Sequence, residues 1–182
     1  MTQKVLILDA SALINILGTG AEMRLLGALG GLCEMEENTV KEVIRNPVDG
    51  KPAVPSINAL TRSRCLTIRK MSGASYVKYV ELVAAPPEQA LGRGESAALA
   101  YAAEVGGAVV LDDQKARRIG QTLFPDCQQL TSAWLFKRAT DRLGLGDKEI
   151  GELLHLARTN ARMHVLSHDE AWVNRCIASA GV

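Results

Sequence analysis

The chain has 182 residues, 47% of them apolar and 23% charged, with only 4% aromatic and 16 glycines. Those are ordinary globular proportions, which exclude a collagen-like, low-complexity or wholly disordered chain and predict an aliphatic core. The 21 basic and 20 acidic side chains leave a net charge of +1, with no basic tail or acidic block to announce a nucleic-acid or membrane partner.

The N-terminal run Val5-Leu6-Ile7-Leu8 stops at Asp9, too short for a signal-peptide core. No later stretch approaches the roughly 18 apolar residues of a spanning helix. Cys33, Cys65, Cys127 and Cys176 form no CxxC pair, which removes zinc-ribbon and thioredoxin readings. Free thiols in a reducing compartment fit better, so a cytoplasmic protein with no membrane association is expected.

In chain order, Lys4–Leu8 reads as a strand buried on both faces. Ser11–Leu17 reads as a helix capped by Ser11. Asn38 or Thr39 caps a second helix, Val40–Arg45, ended by Pro47, and a Pro- and Gly-rich loop runs to about Thr61. Cys65–Ile68 is a strand and Ala74–Val83 a helix. Glu95–Val105 is an Ala-rich helix closed by Gly106-Gly107, followed by the strand Ala108–Leu111 and a basic helix, Lys115–Leu123. A short strand, Cys127–Leu130, and a helix, Ser132–Leu143, complete the alternation. Such alternation predicts a three-layer α/β/α sandwich with a mainly parallel sheet over residues 1–140. Residues 141–182 change character, to two helices. One has Asp147 as its cap and the other opens on Ser167-His168-Asp169-Glu170, a capping-box pattern. They form a helical extension too small to fold alone.

In open parallel sheets, ligands bind beyond the carboxyl ends of the strands. Asp9 follows the first aliphatic strand, and Asp112 and Asp113 follow the other. Converging carboxylates repel unless a cation lies between them. Glu42, one to two turns into the second helix, and Glu95, the first residue of the Ala-rich helix, can join them. Four such acids make a hard-oxygen site suited to Mg²⁺ or Mn²⁺, ions that hold a phosphodiester and activate water. Each acid also has a plainer account. A strand-terminal Asp9 could cap the next helix, although Ser11 looks the better cap. Asp112, Asp113 and Glu95 could simply complement helix dipoles. Glu36 and Glu37 read as solvated helix residues.

Four segments together, Val5-Leu6-Ile7-Leu8-Asp9-Ala10-Ser11, Thr39-Val40-Lys41-Glu42-Val43, Gly94-Glu95-Ser96-Ala97-Ala98 and Val109-Val110-Leu111-Asp112-Asp113, resemble the PIN-domain nucleases. The nearer likeness is to the toxin-like branch with an Asp-Asp pair and a helical C-terminal extension. The resemblance implies a PIN-like fold and metal-dependent endoribonuclease activity. It makes Asp9, Glu42, Glu95 and Asp113 the metal ligands, with Ser11 steering Asp9. It further implies a toxin of a toxin–antitoxin pair, with an antitoxin partner, and a homodimer. One departure stands out: many members carry a further acid where this chain has Lys115 and Ala116, and Asp112 is the candidate substitute. A PIN-like module that acts only by binding a protein or RNA is the competing reading.

The near-zero charge hides an asymmetry. Residues 50–80 contain no acid but include Arg62, Arg64, Arg69, Lys70 and Lys78, and Lys115, Arg117 and Arg118 follow the metal acids directly. Arg62, Arg64, Lys115, Arg117 and Arg118 are the candidate RNA contacts, with Tyr76, Tyr79 and Tyr101 available for base stacking. His164 and His168 straddle a helix boundary and make a poor zinc pair. Gly18-Thr19-Gly20 lacks the third glycine of a dinucleotide loop.

Overall fold

The computed structural model of the chain describes residues 4–182; Met1, Thr2 and Gln3, part of the N-terminal segment read above for a leader, lie outside the described residues. Five strands, β1 (Leu6–Leu8), β2 (Cys33–Glu36), β3 (Thr67–Arg69), β4 (Ala108–Val110) and β5 (Gln128–Leu130), form one sheet in the order β3-β2-β1-β4-β5. Every pairing is parallel. The sequence of each strand suits its place. Leu6-Ile7-Leu8 and Ala108-Val109-Val110 are wholly buried at the centre, whereas Thr67-Ile68-Arg69 and Gln128-Gln129-Leu130 supply the polar edges.

Helices cover both faces: α1 (Ala10–Leu17), α2 (Glu22–Ala28), α3 (Glu37–Val40), α4 (Val54–Arg62), α5 (Gly73–Val83), α6 (Arg93–Val105), α7 (Gln114–Leu123), α8 (Ser132–Leu143), α9 (Asp147–Ala161) and α10 (Ser167–Ala180). Successive strand side chains point to opposite faces, and this divides the core. Leu6, Leu8, Ala108 and Val110 pack with residues of α1, α2, α4, α8, α9 and α10. Ile7, Val109 and Leu111 pack with α5, α6 and α7. The result is a PIN-like α/β/α sandwich with additional C-terminal helices.

Those last helices share the main core: Ile150, Leu154, Ala157, Val173 and Cys176 are all buried in the cluster built on β1. α9 and α10 approach so closely at Gly151 that a Cβ there would overlap the Cys176 carbonyl. Among the described residues no helix is long and apolar enough to cross a membrane. The four cysteines are free, and three of them are buried.

Several local expectations are corrected. The segment expected to be loop as far as Thr61 contains α4, whose Pro55 lies in the first turn, where no intrahelical N–H is required; Ile57 and Leu60 give it a buried side. β2 was hidden by its acids. Glu34 sits beside Ile7 in register but accepts from Tyr101 Oη (2.6 Å) and Arg69 Nε (3.0 Å). Glu36, expected to be solvated, is only 1% exposed; it caps α3, accepting from the Asn38 backbone N–H at 2.5 Å. α3 therefore starts earlier than expected and ends at Val40. Asp147 is the first residue of α9, after Gly146 as N-cap. α10 follows Leu166, so the capping box read at Ser167 does not form; the buried Val165 and Leu166 determine where the chain turns.

Candidate active site

β1 is the point where the order of strands reverses: its chain neighbour β2 lies on one side and β4 on the other. In open parallel sheets the ligand crevice lies beyond the carboxyl ends of the strands at such a point, here β1 and β4. Asp9 stands directly at the end of β1. Contrary to the expectation that Ser11 caps α1, Asp9 is the N-cap. Its Oδ2 accepts from the Ser11 backbone N–H (3.3 Å) and hydroxyl (2.7 Å). The other oxygen, Oδ1, is buried and has no hydrogen-bond partner among the described residues. The side chain is 4% exposed, and burial raises its pKa above the ordinary aspartate value, with Asp113 adding repulsion.

Glu42 is not inside a helix. α3 closes at Lys41, and two tight turns, Glu42 N–H to the Thr39 carbonyl and Val43 N–H to that of Val40, bring the chain round. Glu42 Oε1 then accepts from the Gly94 N–H at 2.6 Å, beside Thr39, whose hydroxyl donates to the Gly94 carbonyl at 3.0 Å. Gly94 is required here, because a Cβ would overlap the Glu42 carboxylate. Glu95 is the third residue of α6 rather than its first, and its Oε2 reaches back to the Gly92 N–H at 3.0 Å. Burial raises its pKa, reinforced in turn by Asp9, Asp113 and Glu42. Asp113 caps α7, accepting from the Ala116 N–H at 2.7 Å.

Each of these four carboxylates thus spends one oxygen on a backbone N–H, local for Asp9, Glu95 and Asp113 and distant for Glu42, and leaves the other without a hydrogen bond among the described residues. They feel one another's charge, yet among the described residues no three acidic, histidine or cysteine side chains are gathered closely enough to cage a metal ion as they stand. The unpartnered, buried Asp9 oxygen is a site that invites a cation, since leaving it unpaired costs free energy.

Asp112 is different in kind. It is 5% exposed; Oδ1 accepts from the Ser132 N–H (2.8 Å), and Oδ2 from the Ser132 hydroxyl (2.5 Å) and Asn15 Nδ2 (3.2 Å). Burial raises its pKa and Ser132 opposes the shift. With both oxygens engaged, it joins the end of β4 to the second half of α1 and the start of α8.

A family model for the PIN domain matches residues 5–124, a span from β1 to α7 that contains all four converging acids. The chain belongs to the PIN-domain family. No curated protein and no solved structure matches it. The PIN fold is a nuclease-type fold.

Within this PIN domain the basic residues expected to contact RNA fall into three groups. Lys115 donates to the carbonyls of Pro87 (2.9 Å) and Ala90 (2.7 Å), so it staples a loop. Arg117 Nη1 donates to the carbonyls of Leu111 (3.0 Å) and Leu130 (2.9 Å), fixing its charge over the ends of β4 and β5. Arg118 is exposed, on the α7 side of a groove shared with Lys78 and Glu81 of α5. Arg62 and Arg64 precede β3 and lie at the amino ends of the strands, where the Arg64 carbonyl adjoins Gly31 ahead of β2. They are on the far side of the sheet from the acids.

Two polar residues near these acids were not singled out in the sequence. Asn15 is buried and bonds both Asp112 and Ser132 Oγ (3.1 Å); a lone Asn in the apolar run Ala12-Leu13-Ile14-Asn15-Ile16-Leu17 was the available signal. Arg93 stands at the first position of α6, next to Gly94, and donates from Nε to Tyr79 Oη at 3.2 Å.

Proposed function

We propose that this PIN domain is a divalent-metal-dependent endoribonuclease, with Mg²⁺ or Mn²⁺ held by Asp9 together with Glu42, Glu95 and Asp113. The supporting observation is Asp9: a buried carboxylate at the switch point of the sheet, oriented by Ser11 through one oxygen and unpartnered at the other. The donor chemistry fits, since each acid offers one uncommitted hard oxygen. Bound there, the ion supplies the positive charge that activates a water and stabilises the leaving oxygen of a phosphodiester.

The chain's own groups do the rest. Ser11 holds Asp9 in one orientation, and the backbone N–H groups of Gly94, Gly92 and Ala116 hold Glu42, Glu95 and Asp113 around the same crevice. Their mutual repulsion is the free energy that a cation would relieve. Arg117, pinned over the ends of β4 and β5, offers a fixed positive charge beside the acids. Asp112 is left out of the ligand set because its oxygens are already used.

The binding-module reading has one observation in its favour: where a further acid is common, Lys115 staples a loop and Ala116 is fully buried. Titrating Mn²⁺ into wild type and Asp9→Asn, with melting temperature and cleavage of a structured RNA as readouts, separates the two. Metal that stabilises wild type alone and supports cutting by wild type alone is the result expected of a nuclease. Metal binding without any cutting favours the module. If Mn²⁺ stabilises neither protein and no RNA is cut, the nuclease reading fails.

A further inference from the structure

Of the three tyrosines available for stacking, two are committed elsewhere. Tyr101 is buried against Glu34, and Tyr79 is buried with its hydroxyl on Arg93. Tyr76 is 54% exposed, and its ring leans on Tyr79 with centroids 5.6 Å apart. A chain of contacts thus runs from an open aromatic face through Tyr79 to the guanidinium of Arg93, adjacent to the Gly94 N–H that holds Glu42.

Tyr76 also forms one wall of a groove of about 420 Å³ between α3 and α5, at the carboxyl ends of β2 and β3. Lys41 and Lys70 line the same groove. Among the described residues neither Lys70 nor Lys41, next in sequence to Glu42, makes an ion pair, and Lys41 Nζ donates to Asn38 Oδ1 at 3.3 Å. Of the two acids present, Glu36 is buried with both oxygens on Asn38, and Glu37 is the exposed one. Cations spaced around an open, braced aromatic ring, beside a set of phosphodiester-directed carboxylates, are what a single strand needs: charge for the backbone and a π-face for a base. A duplex keeps its bases stacked inside and cannot use the ring.

We propose that the groove between α3 and α5 leads an unpaired RNA strand to the carboxylates, with one base stacked on Tyr76 and phosphates neutralised by Lys41, Lys70 and Arg93. This assignment rests on the ribonuclease reading above for its choice of RNA. Tyr79 is then a positioning residue, since it touches both the stacking ring and the arginine without facing the groove itself. Stacking accepts any base, so the groove sets a preference for unpaired nucleotides rather than for a sequence.

The test is fluorescence anisotropy of the full chain at low salt in EDTA, where no cutting interferes. The probe is a labelled, unstructured RNA of about ten nucleotides, a common footprint for single-strand grooves, used alone or annealed to its complement. Tyr76→Ala is expected to weaken single-strand binding about 5- to 100-fold, the range of one lost base–aromatic stack, and to leave duplex binding unchanged. Tyr76→Phe should bind like wild type, as a ring without the hydroxyl still stacks, and unchanged duplex binding by Tyr76→Ala excludes a loss through misfolding. Arg93→Ala should lower the salt dependence by about one phosphate contact. Wild-type affinity in Tyr76→Ala, an equal loss for the duplex, or no single-strand binding by wild type would each overturn the proposal. Its failure is separable from failure of the nuclease reading. Tyr76-dependent binding with no Mn²⁺-supported cleavage keeps the groove and removes the nuclease; cleavage with undiminished binding by Tyr76→Ala does the reverse.

Discussion

Two aspartates end neighbouring strands of the sheet, both almost wholly buried, and their surroundings differ completely. Asp112 receives three hydrogen bonds, from the Ser132 backbone, the Ser132 hydroxyl and Asn15. Among the described residues Asp9 receives two, both from Ser11 on one oxygen, while its second oxygen has none. Burial raises the pKa of each, but only Asp112 has donors on both oxygens to offset it. A buried carboxylate saturated with donors is a structural tie. One left half-satisfied among like charges is a site in want of a cation.

The sharpest way to break this contrast is to remove each charge in turn. Asp9→Asn should lower Mn²⁺-supported RNA cleavage by about 100-fold or more, beyond the 10–100-fold typical of losing a partner of a metal ligand. In metal-free buffer the same variant should melt at a higher temperature than wild type, because it removes an ion that the fold disfavours. Asp112→Ala should act in the opposite sense on stability. It leaves buried donors on Ser132 and Asn15 without an acceptor, at a cost of roughly 1–3 kcal/mol for each unpaired group, measurable by urea denaturation. Equal melting behaviour of the two variants would mean that the two aspartates do not differ in this way.

Ser11→Ala tests the orientation of Asp9 without touching its charge. A loss of roughly 10–100-fold in cleavage or metal affinity is expected, with little change in unfolding midpoint because Ser11 is only half-buried. Gly94→Ala tests Glu42, whose carboxylate must move away from an added Cβ. Several-fold weaker Mn²⁺ binding, read by the metal-induced shift in melting temperature, is the expected outcome.

The smallest effect is the pH dependence of the metal-free protein. A carboxyl whose pKa is raised on folding holds its proton more tightly in the native state. The slope of stability with pH is then negative between the unfolded and folded values. Asp9 and Glu95 both shift upward, so their contribution to stability falls as pH rises from the ordinary carboxylate range through their raised native values. Asp9→Asn should flatten that decline, and saturating Mn²⁺ should reverse it in wild type.

Much of this was legible from residue order. The aliphatic strands ending in Asp9 and in Asp112-Asp113, the Ala-rich helix carrying Glu95 and the parallel α/β/α layering all follow from local patterns. A strand buried on both faces has few compositions open to it, and an Ala-rich run closed by two glycines is a strong helix signal. β2, α4 and the true span of α3 were not legible. Their signals depend on distant partners: Glu34 is tolerable in a strand only because Tyr101 and Arg69 meet it, and Glu36 is buried only because it caps α3.

By itself, then, the sequence determined that Asp9 and Asp112-Asp113 follow aliphatic strands and that Glu95 lies in the first turn of the Ala-rich helix, because those signals are local. Tertiary structure alone decided how each acid is used. Asp9 and Asp112 look alike in sequence, and what separates them is a donor set, Ser132 and Asn15, brought from 20 and 97 residues away. The basic residues were sorted in the same way, with Arg62 and Arg64 sent to the amino ends of the strands and Arg117 pinned over the carboxyl ends of β4 and β5. Hydrogen bonding and charge proximity depend on where the chain returns, and that is settled by the packing of the whole sheet.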